Sequence, residues 1–197
     1  IMRAKKSRFS GQKPPELPEG FAFKLYCPGD EKQWARLERS VDEFPSEEEA
    51  LPYFTERYLP MSQLLERRCW FIWDEEKRQA AATATAWFDQ MEGKRTASLH
   101  WVSTDPSYQG KGLGRAIVIR ALQTLAAEEE GKSIYLHTQT WSHKAVALYL
   151  SLGFTLVQKG GLSQYQNDYP QYLPILREIM RPADFAALVQ ETDEKRI

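Results

Sequence analysis

Apolar and polar positions change period several times along the chain, and each change marks an element. Phe21–Cys27 is rich in aromatic and apolar residues broken by Lys24, which predicts a strand. Trp34, Leu37 and Val41 then recur at helical spacing behind Asp30, a candidate N-cap. Ser46 with Glu49 three residues on is a capping-box signature for a second helix, which Pro52 should distort and Pro60 should end. A short helical piece is expected from Pro60 to Arg67, and Cys69–Trp73 with Gln79–Phe88 predicts a hairpin turning at Asp74–Arg78. Ala97–Thr104 is the next strand. Leu113, Ile117, Ala121 and Leu125 recur every four residues, so an amphipathic helix is expected up to Glu130. Ile134–Thr138 reads as a strand, Ser142–Leu152 as a helix and Phe154–Lys159 as a strand. The tail predicts one more strand and a helix holding Tyr172, Ile175, Leu176 and Ile179. Strands followed by helix–strand–helix–strand imply a mixed α/β sheet, and no internal repeat is visible.

Composition narrows the function classes. The chain has 197 residues, 42% of them hydrophobic and 12% aromatic, which suits a folded domain with a sizeable core. A net charge of −1 gives no global reason to expect nucleic acid or an anionic membrane as partner. No apolar run approaches the length of a membrane span. The first residues carry five positive charges up to Lys13 without an apolar signal-peptide core, and read as a solvated basic tail. Gln12–Gly20, rich in Pro and Gly, reads as a linker. Ile1 ahead of Met2 reads as a fragment edge or a non-native addition. Cys27 and Cys69 both lie in strand-like apolar surroundings and read as buried free thiols, which fits a reducing cytoplasm. Three histidines and two cysteines show no metal-ligand spacing.

The stretch with the most chemistry is Gln109-Gly110-Lys111-Gly112-Leu113-Gly114, between a predicted strand and a predicted helix. Glycines at such a turn allow close approach of a ligand to the backbone. The first N–H groups of the helix lack intrahelical acceptors and sit at the positive end of its dipole, a setting that holds phosphate or pyrophosphate. A P-loop would need Ser or Thr after Lys111, where Gly112 stands. A dinucleotide fingerprint would need a third glycine where Arg115 stands.

The remaining pattern, Q-x-x-G-x-G, resembles the pyrophosphate loop of the GCN5-related N-acetyltransferases. Asp105-Pro106-Ser107-Tyr108 is similar to that family's lead-in. Ala145, Tyr149, Gly153 and Phe154 match a second family block, with Ser142 standing where the family usually has Asn. The resemblance covers roughly residues 80–157 well and 21–74 only by pattern. It implies an acyl-CoA N-acyltransferase fold, a mostly antiparallel sheet of six to seven strands flanked by helices. The domain would span 21–181, with 1–20 as flexible tail and linker and 182–197 as a helical tail. It also implies acetyl-CoA as cofactor, held by Gln109, Gly110, Lys111, Gly112, Leu113, Gly114 and Arg115. A main-chain N–H on the strand Ala97–Thr104, around Val102, Ser103 and Thr104, would polarise the thioester. Ser142 could replace the family's Asn contact only in part.

Acetyl transfer to an amine needs a base, because an amine with pKa near 10 is almost wholly protonated at neutral pH. His100 lies on the strand nearest the expected reaction centre and is the candidate base. Asp89, Glu92, Asp105 and a water chain are its rivals, and His137 could line the same cleft. His143 reads as a solvent-facing helix residue. The resemblance makes Tyr149 the candidate general acid, the alternative being an amphipathic core tyrosine. Asp42, Glu43, Glu47, Glu48, Glu49 and Glu56 could form an acidic rim for a cationic acceptor, although the glutamates from 47 to 49 also suit a helix start. Trp34, Phe44, Tyr53, Trp87 and Trp101 could line an acceptor pocket or be core. The expectation is direct attack by a small-molecule or peptide amine in a ternary complex, without metal, nucleic acid or membrane. A non-catalytic acyl-CoA-binding module is the alternative. An exposed tail strand of the family often pairs with another subunit, which makes a homodimer an expectation.

Overall fold

A computed structural model describes residues 1–139, 142–163 and 165–190. Its first strand is one that the hydrophobic pattern does not reveal. β1 (Met2–Lys5) pairs antiparallel on one side with β6 (Ser133–Leu136) and on the other with β7 (Thr155–Leu156). Met2 and Ala4 are buried between them, so the residues expected to be a solvated basic tail are structural. Four residues are too short for periodicity to announce a strand, and the partners lie more than a hundred residues away.

β2 (Phe21–Leu25), β3 (Cys69–Asp74), β4 (Gln79–Met91) and β5 (Lys94–Thr104) fall where strands are predicted, with β5 starting ahead of the expected Ala97. The strand order is β2-β3-β4-β5-β6-β1-β7. β4 runs three residues beyond its predicted end because Glu92 and Gly93, both with positive φ, form a two-residue hairpin turn into β5. The helices are α1 (Glu31–Ser40), α2 (Glu47–Tyr58), α3 (Ser62–Arg68), α4 (Leu113–Glu128), α5 (His143–Ser151), α6 (Tyr169–Ile179) and α7 (Pro182–Gln190). Ser46 caps α2 as expected, accepting from the Glu49 N–H at 3.3 Å. Asp30 does not cap α1 with its side chain. Its carboxylate instead accepts from the Cys27 N–H and from Lys24, each at 2.8 Å, and closes the turn ahead of the helix. Pro52 lies inside α2 without ending it, because Phe54 and Tyr58 beyond it are fully buried and hold the last turns.

Two compact units emerge. One comprises Gly11–Trp87 and Leu99–Ala127; the other comprises Ile1–Ser10, Phe88–Ser98 and the chain from Glu128 onward. The core of the first is built on Trp34, Leu37, Phe54, Phe71, Ile72 and Ile117, all fully buried. In the second, Gly153 ends α5 with φ +83, and a Cβ there would collide with the Arg8 guanidinium. Arg95 pairs with Glu129 at 2.5 Å in the same unit. The tail departs from expectation. Among the described residues after β7 there are two helices and one isolated bridge, Leu162 to Tyr165, but no strand. The feature that suggested a homodimer is therefore not among them. Cys69 is buried as expected, but Cys27 is exposed, since β2 stops at Leu25 and the chain turns outward.

Candidate active site

The glycine loop connects β5 to α4 within the first unit. Gly110 and Gly112 have φ of +81° and +80°, a region that only glycine occupies without strain. A Cβ built on either meets nothing within 4 Å, so the turn faces open space and a ligand can lie directly on the backbone. The Ala116 N–H donates to the Gly112 carbonyl at 3.1 Å, so the N–H groups of Leu113 and Gly114 come before the first N–H that donates within the helix. Lys111 and Arg115 are exposed beside them. Gly114 is small for another reason: a Cβ would stand 3.1 Å from Thr104 Oγ1, so α4 starts close against the end of β5. This cradle fits a pyrophosphate-bearing cofactor.

The loop is entered through a locked corner. Tyr108, fully buried, donates its hydroxyl to Asp74 at 2.7 Å and accepts from Gln79 at 2.9 Å. Burial, then the Asp74 carboxylate, push the Tyr108 pKa up. The Lys77 N–H, then Tyr108, hold Asp74 below the usual carboxylate range. Tyr108→Phe should cost about 1–3 kcal/mol, because it strips a buried carboxylate of a donor. Urea unfolding checks this, and an unchanged midpoint would remove the corner from the account.

On β5 the side chains divide between two neighbours. Thr104 faces the start of α4, whereas Trp101, Ser103 and Asp105 all reach α1. Trp101 has φ +48°, an outlier for so bulky a residue and the mark of a local irregularity in the strand. Its ring lies 5.3 Å from Trp34, 5.4 Å from Phe44 and 5.1 Å from Tyr53. Ser103 donates its hydroxyl to Glu38 at 2.7 Å, with both residues buried. Asp105 takes Arg36 at 2.7 Å, and Arg36 also donates to the Ala80 carbonyl. Burial works against ionisation of Asp105, but the donors on Ser107 and Arg36 outweigh it and hold its pKa down. Asp105 is thereby a structural carboxylate. Of the other rivals for the base, Asp89 accepts from Ser163 at 2.6 Å and Glu92 stands exposed in the β4–β5 turn.

His100 precedes the irregular residue, and its Nδ1 shares a hydrogen bond with the Tyr58 hydroxyl at 3.0 Å. Trp87 packs edge-on against Tyr58 at 5.1 Å and is core, as is Trp34; Phe44, Tyr53 and Trp101 are half-buried. Tyr149, Ser142, His137 and His143 belong to the other unit. Tyr149 is buried on α5 with its ring 5.8 Å from Phe154. Ser142 precedes α5 without a side-chain capping bond. His137 stacks on Tyr165 at 3.8 Å and lines a cavity of about 130 Å³ with Thr138, Gln139, Val146 and Leu176. His143, expected to face solvent, is half-buried. Sequence reasoning missed Glu38, although its spacing of four residues from Trp34 places both on one face of α1.

A strand, a glycine turn facing open space and a helix N-terminus behind it have the chemistry to hold a phosphate-bearing cofactor. The acetyltransferase (GNAT) family profile matches residues 32–154, and the chain belongs to that family, whose acyl donor is acetyl-CoA. A mycothiol acetyltransferase of Rothia mucilaginosa (strain DY-18) is 30% identical over 149 residues, 70% of this chain and 42% of that protein. The N-alpha-acetyltransferase RimI of Mycobacterium tuberculosis (strain ATCC 25618 / H37Rv) is 41% identical over 59 residues, 30% of this chain and 35% of RimI. Among solved structures, a GCN5-related N-acetyltransferase from Sphaerobacter thermophilus shares the fold with a TM-score of 0.54 at 17% identity, over 82% of this chain and 47% of that one. The chain spans about half the length, or less, of the curated relatives it matches. No helix among the described residues is long and apolar enough to cross a membrane.

Proposed function

We propose that this chain transfers the acetyl group of acetyl-CoA to a primary amine by direct attack in a ternary complex. The observation that carries this reading is the turn at Gly110 and Gly112, whose positive φ values and open face leave backbone N–H groups for a pyrophosphate. Acetyl-CoA supplies the activated thioester. The backbone of residues 109–115 holds its pyrophosphate, and a main-chain N–H of β5, at Val102 or Thr104, donates to the thioester oxygen. A fixed donor aimed at developing oxyanion charge contributes about 3–4 kcal/mol. His100 takes the amine proton, directly or through water, and Tyr149 protonates the leaving thiolate. The names of the mycothiol acetyltransferase and RimI relatives support acetyl transfer without identifying this chain's acceptor, a small-molecule or peptide amine. The run from Val41 to Glu56 carries six carboxylates and no Lys or Arg, which favours a cationic acceptor. Cytoplasmic placement rests on the two free cysteines.

Amine-dependent release of free coenzyme A thiol tests the reading. His100→Gln and Tyr149→Phe should each lower kcat by about 10²–10⁴-fold, the usual range for an acid or base, with acetyl-CoA affinity little changed. Unchanged turnover would remove those two roles. Tight acetyl-CoA binding with no turnover of any amine would favour a non-catalytic binding module.

A further inference from the structure

Three contacts from α1 fall on alternate residues at the end of β5, two in the strand and one just past it. Trp34 packs on Trp101, Glu38 accepts from Ser103, and Arg36 pairs with Asp105. The residues between them, Val102 and Thr104, are the two whose main-chain N–H groups are available to the thioester in the acetyl-transfer reading. We propose that α1 is the positioning element of the reaction, with Trp34, Glu38 and Arg36 holding β5 on either side of Val102 and Thr104 so that the donor N–H keeps its aim. This rests on the acetyl-transfer reading.

The contacts are unlike ordinary helix-on-sheet packing. A tryptophan with φ +48° in mid-strand is strained, and it persists because the rings of Trp34, Phe44 and Tyr53 surround it. Glu38 has no exposed surface, and a carboxyl group is an expensive choice for a purely structural contact. Its Oε2 takes the Ser103 hydroxyl, while Oε1 and the Trp34 Nε1 one turn earlier have no hydrogen-bond partner among the described residues. A hydrophobic residue would pack there at lower cost, but it could not hold the Ser103 hydroxyl. Arg36 adds a donor to Ala80 on β4, tying the neighbouring strand to the same helix. Glu38, Trp34 and Arg36 touch no reacting atom in this scheme, so they are positioning residues.

Glu38 also makes the device sensitive to pH. Burial, partly opposed by the Ser103 hydrogen bond and aided by the charge of Glu43, pushes its pKa to about 8. Glu43 lies just after α1. Cys69 on β3 is also within electrostatic reach, and burial pushes its thiol to about 12, so it stays neutral through this range. Above pH 8 Glu38 carries a buried charge with no cation among these groups, which loosens α1 from β5.

Glu38→Leu, Ser103→Ala and Glu38→Gln test the proposal, together with amide hydrogen exchange. The Leu and Ala variants should lower kcat at least about tenfold with the acetyl-CoA Kd unchanged, because the glycine loop is untouched. Glu38→Gln keeps an acceptor for Ser103 and should retain kcat within about threefold at pH 7. The ratio of wild-type to Glu38→Gln kcat should fall between pH 7 and 9; the amine's own titration cancels in that ratio. In the absence of any ligand, the Asp105 amide, which donates to the Ala81 carbonyl at 3.0 Å, should exchange about tenfold faster in the Leu and Ala variants. Full kcat in both variants, parallel loss of kcat and acetyl-CoA affinity, or unchanged exchange would overturn the proposal. If Glu38→Leu does not fold, the milder Ser103→Ala decides. Wild-type protein that binds no acetyl-CoA would instead defeat the acetyl-transfer reading, and the exchange result would still report whether α1 holds β5.

Discussion

Glu38→Gln is expected to raise stability at pH 9 relative to wild type, by an amount that shrinks steadily toward pH 5. The folded protein keeps the Glu38 proton up to about pH 8, whereas the ordinary value is 4.5. Between those two pH values the folded state binds more protons than the unfolded one, so stability falls as pH rises and levels off above about 8. Each unit of that window is worth about 1.4 kcal/mol, so the full difference reaches about 5 kcal/mol, and about 3 at neutral pH. Glutamine does not titrate, so its variant escapes the loss. Any fixed cost of burying the amide appears equally at both ends of the range and cancels in the change of the difference between pH 5 and 9. For a chain of this size the change should appear as a midpoint shift of roughly 10 °C or more. Parallel stability–pH curves for the two proteins would mean that Glu38 ionises normally, and that burial is not controlling it.

Gly112→Val should weaken acetyl-CoA binding at least about 100-fold, equivalent to about 2.7 kcal/mol, while leaving the fold in place. Two physical effects add. A β-branched residue does not tolerate φ near +80°, so the turn must rearrange. Its side chain would also project into the open space above the backbone, where the pyrophosphate would lie. The Gly112 position is exposed, so the cost to global stability should be small by comparison. Titration calorimetry separates the two quantities. Gly114→Ala is a graded control: its added methyl group meets a movable Thr104 hydroxyl at 3.1 Å, and φ there is not positive, so a smaller loss is expected. Equal affinity of Gly112→Val and wild type would place the cofactor elsewhere.

Much of this site is legible in the amino-acid order because its signals are local. Glycine at 110 and 112 reports backbone geometry directly, and glycine at 114 the close approach of Thr104. The four-residue spacing of Leu113, Ile117, Ala121 and Leu125 puts all four in the core, as they are. The β3–β4 hairpin could be read for the same reason, since both strands and their turn fall within one short stretch. What could not be read depends on distant partners. Nothing in Met2–Lys5 reveals that β6 and β7 will enclose it. The run Leu99–Thr104 reads as ordinary strand, and the positive φ of Trp101 appears only once Trp34, Phe44 and Tyr53 surround it. Glu38 reads as one more charged helix residue until Ser103, sixty-five positions later, arrives beside it. Asp30 had the right residue type and place for a cap, but Lys24 and the Cys27 N–H compete for the same carboxylate and win.

Thermal unfolding with acetyl-CoA, coenzyme A and ATP, each at a hundredfold its dissociation constant or at matched millimolar concentration where none is measurable, tests the central claim most directly. A ligand that binds the folded state alone stabilises it by about 2.7 kcal/mol under the first condition, a rise of roughly 5–10 °C for a chain of this length. The expected result is that rise with acetyl-CoA and coenzyme A, little change with ATP, and a rise of no more than about 2 °C with either coenzyme A species at the same concentrations in Gly112→Val. No shift with acetyl-CoA in the wild type, or an equal shift with ATP, would contradict the assignment of the loop and the acetyl transfer built on it.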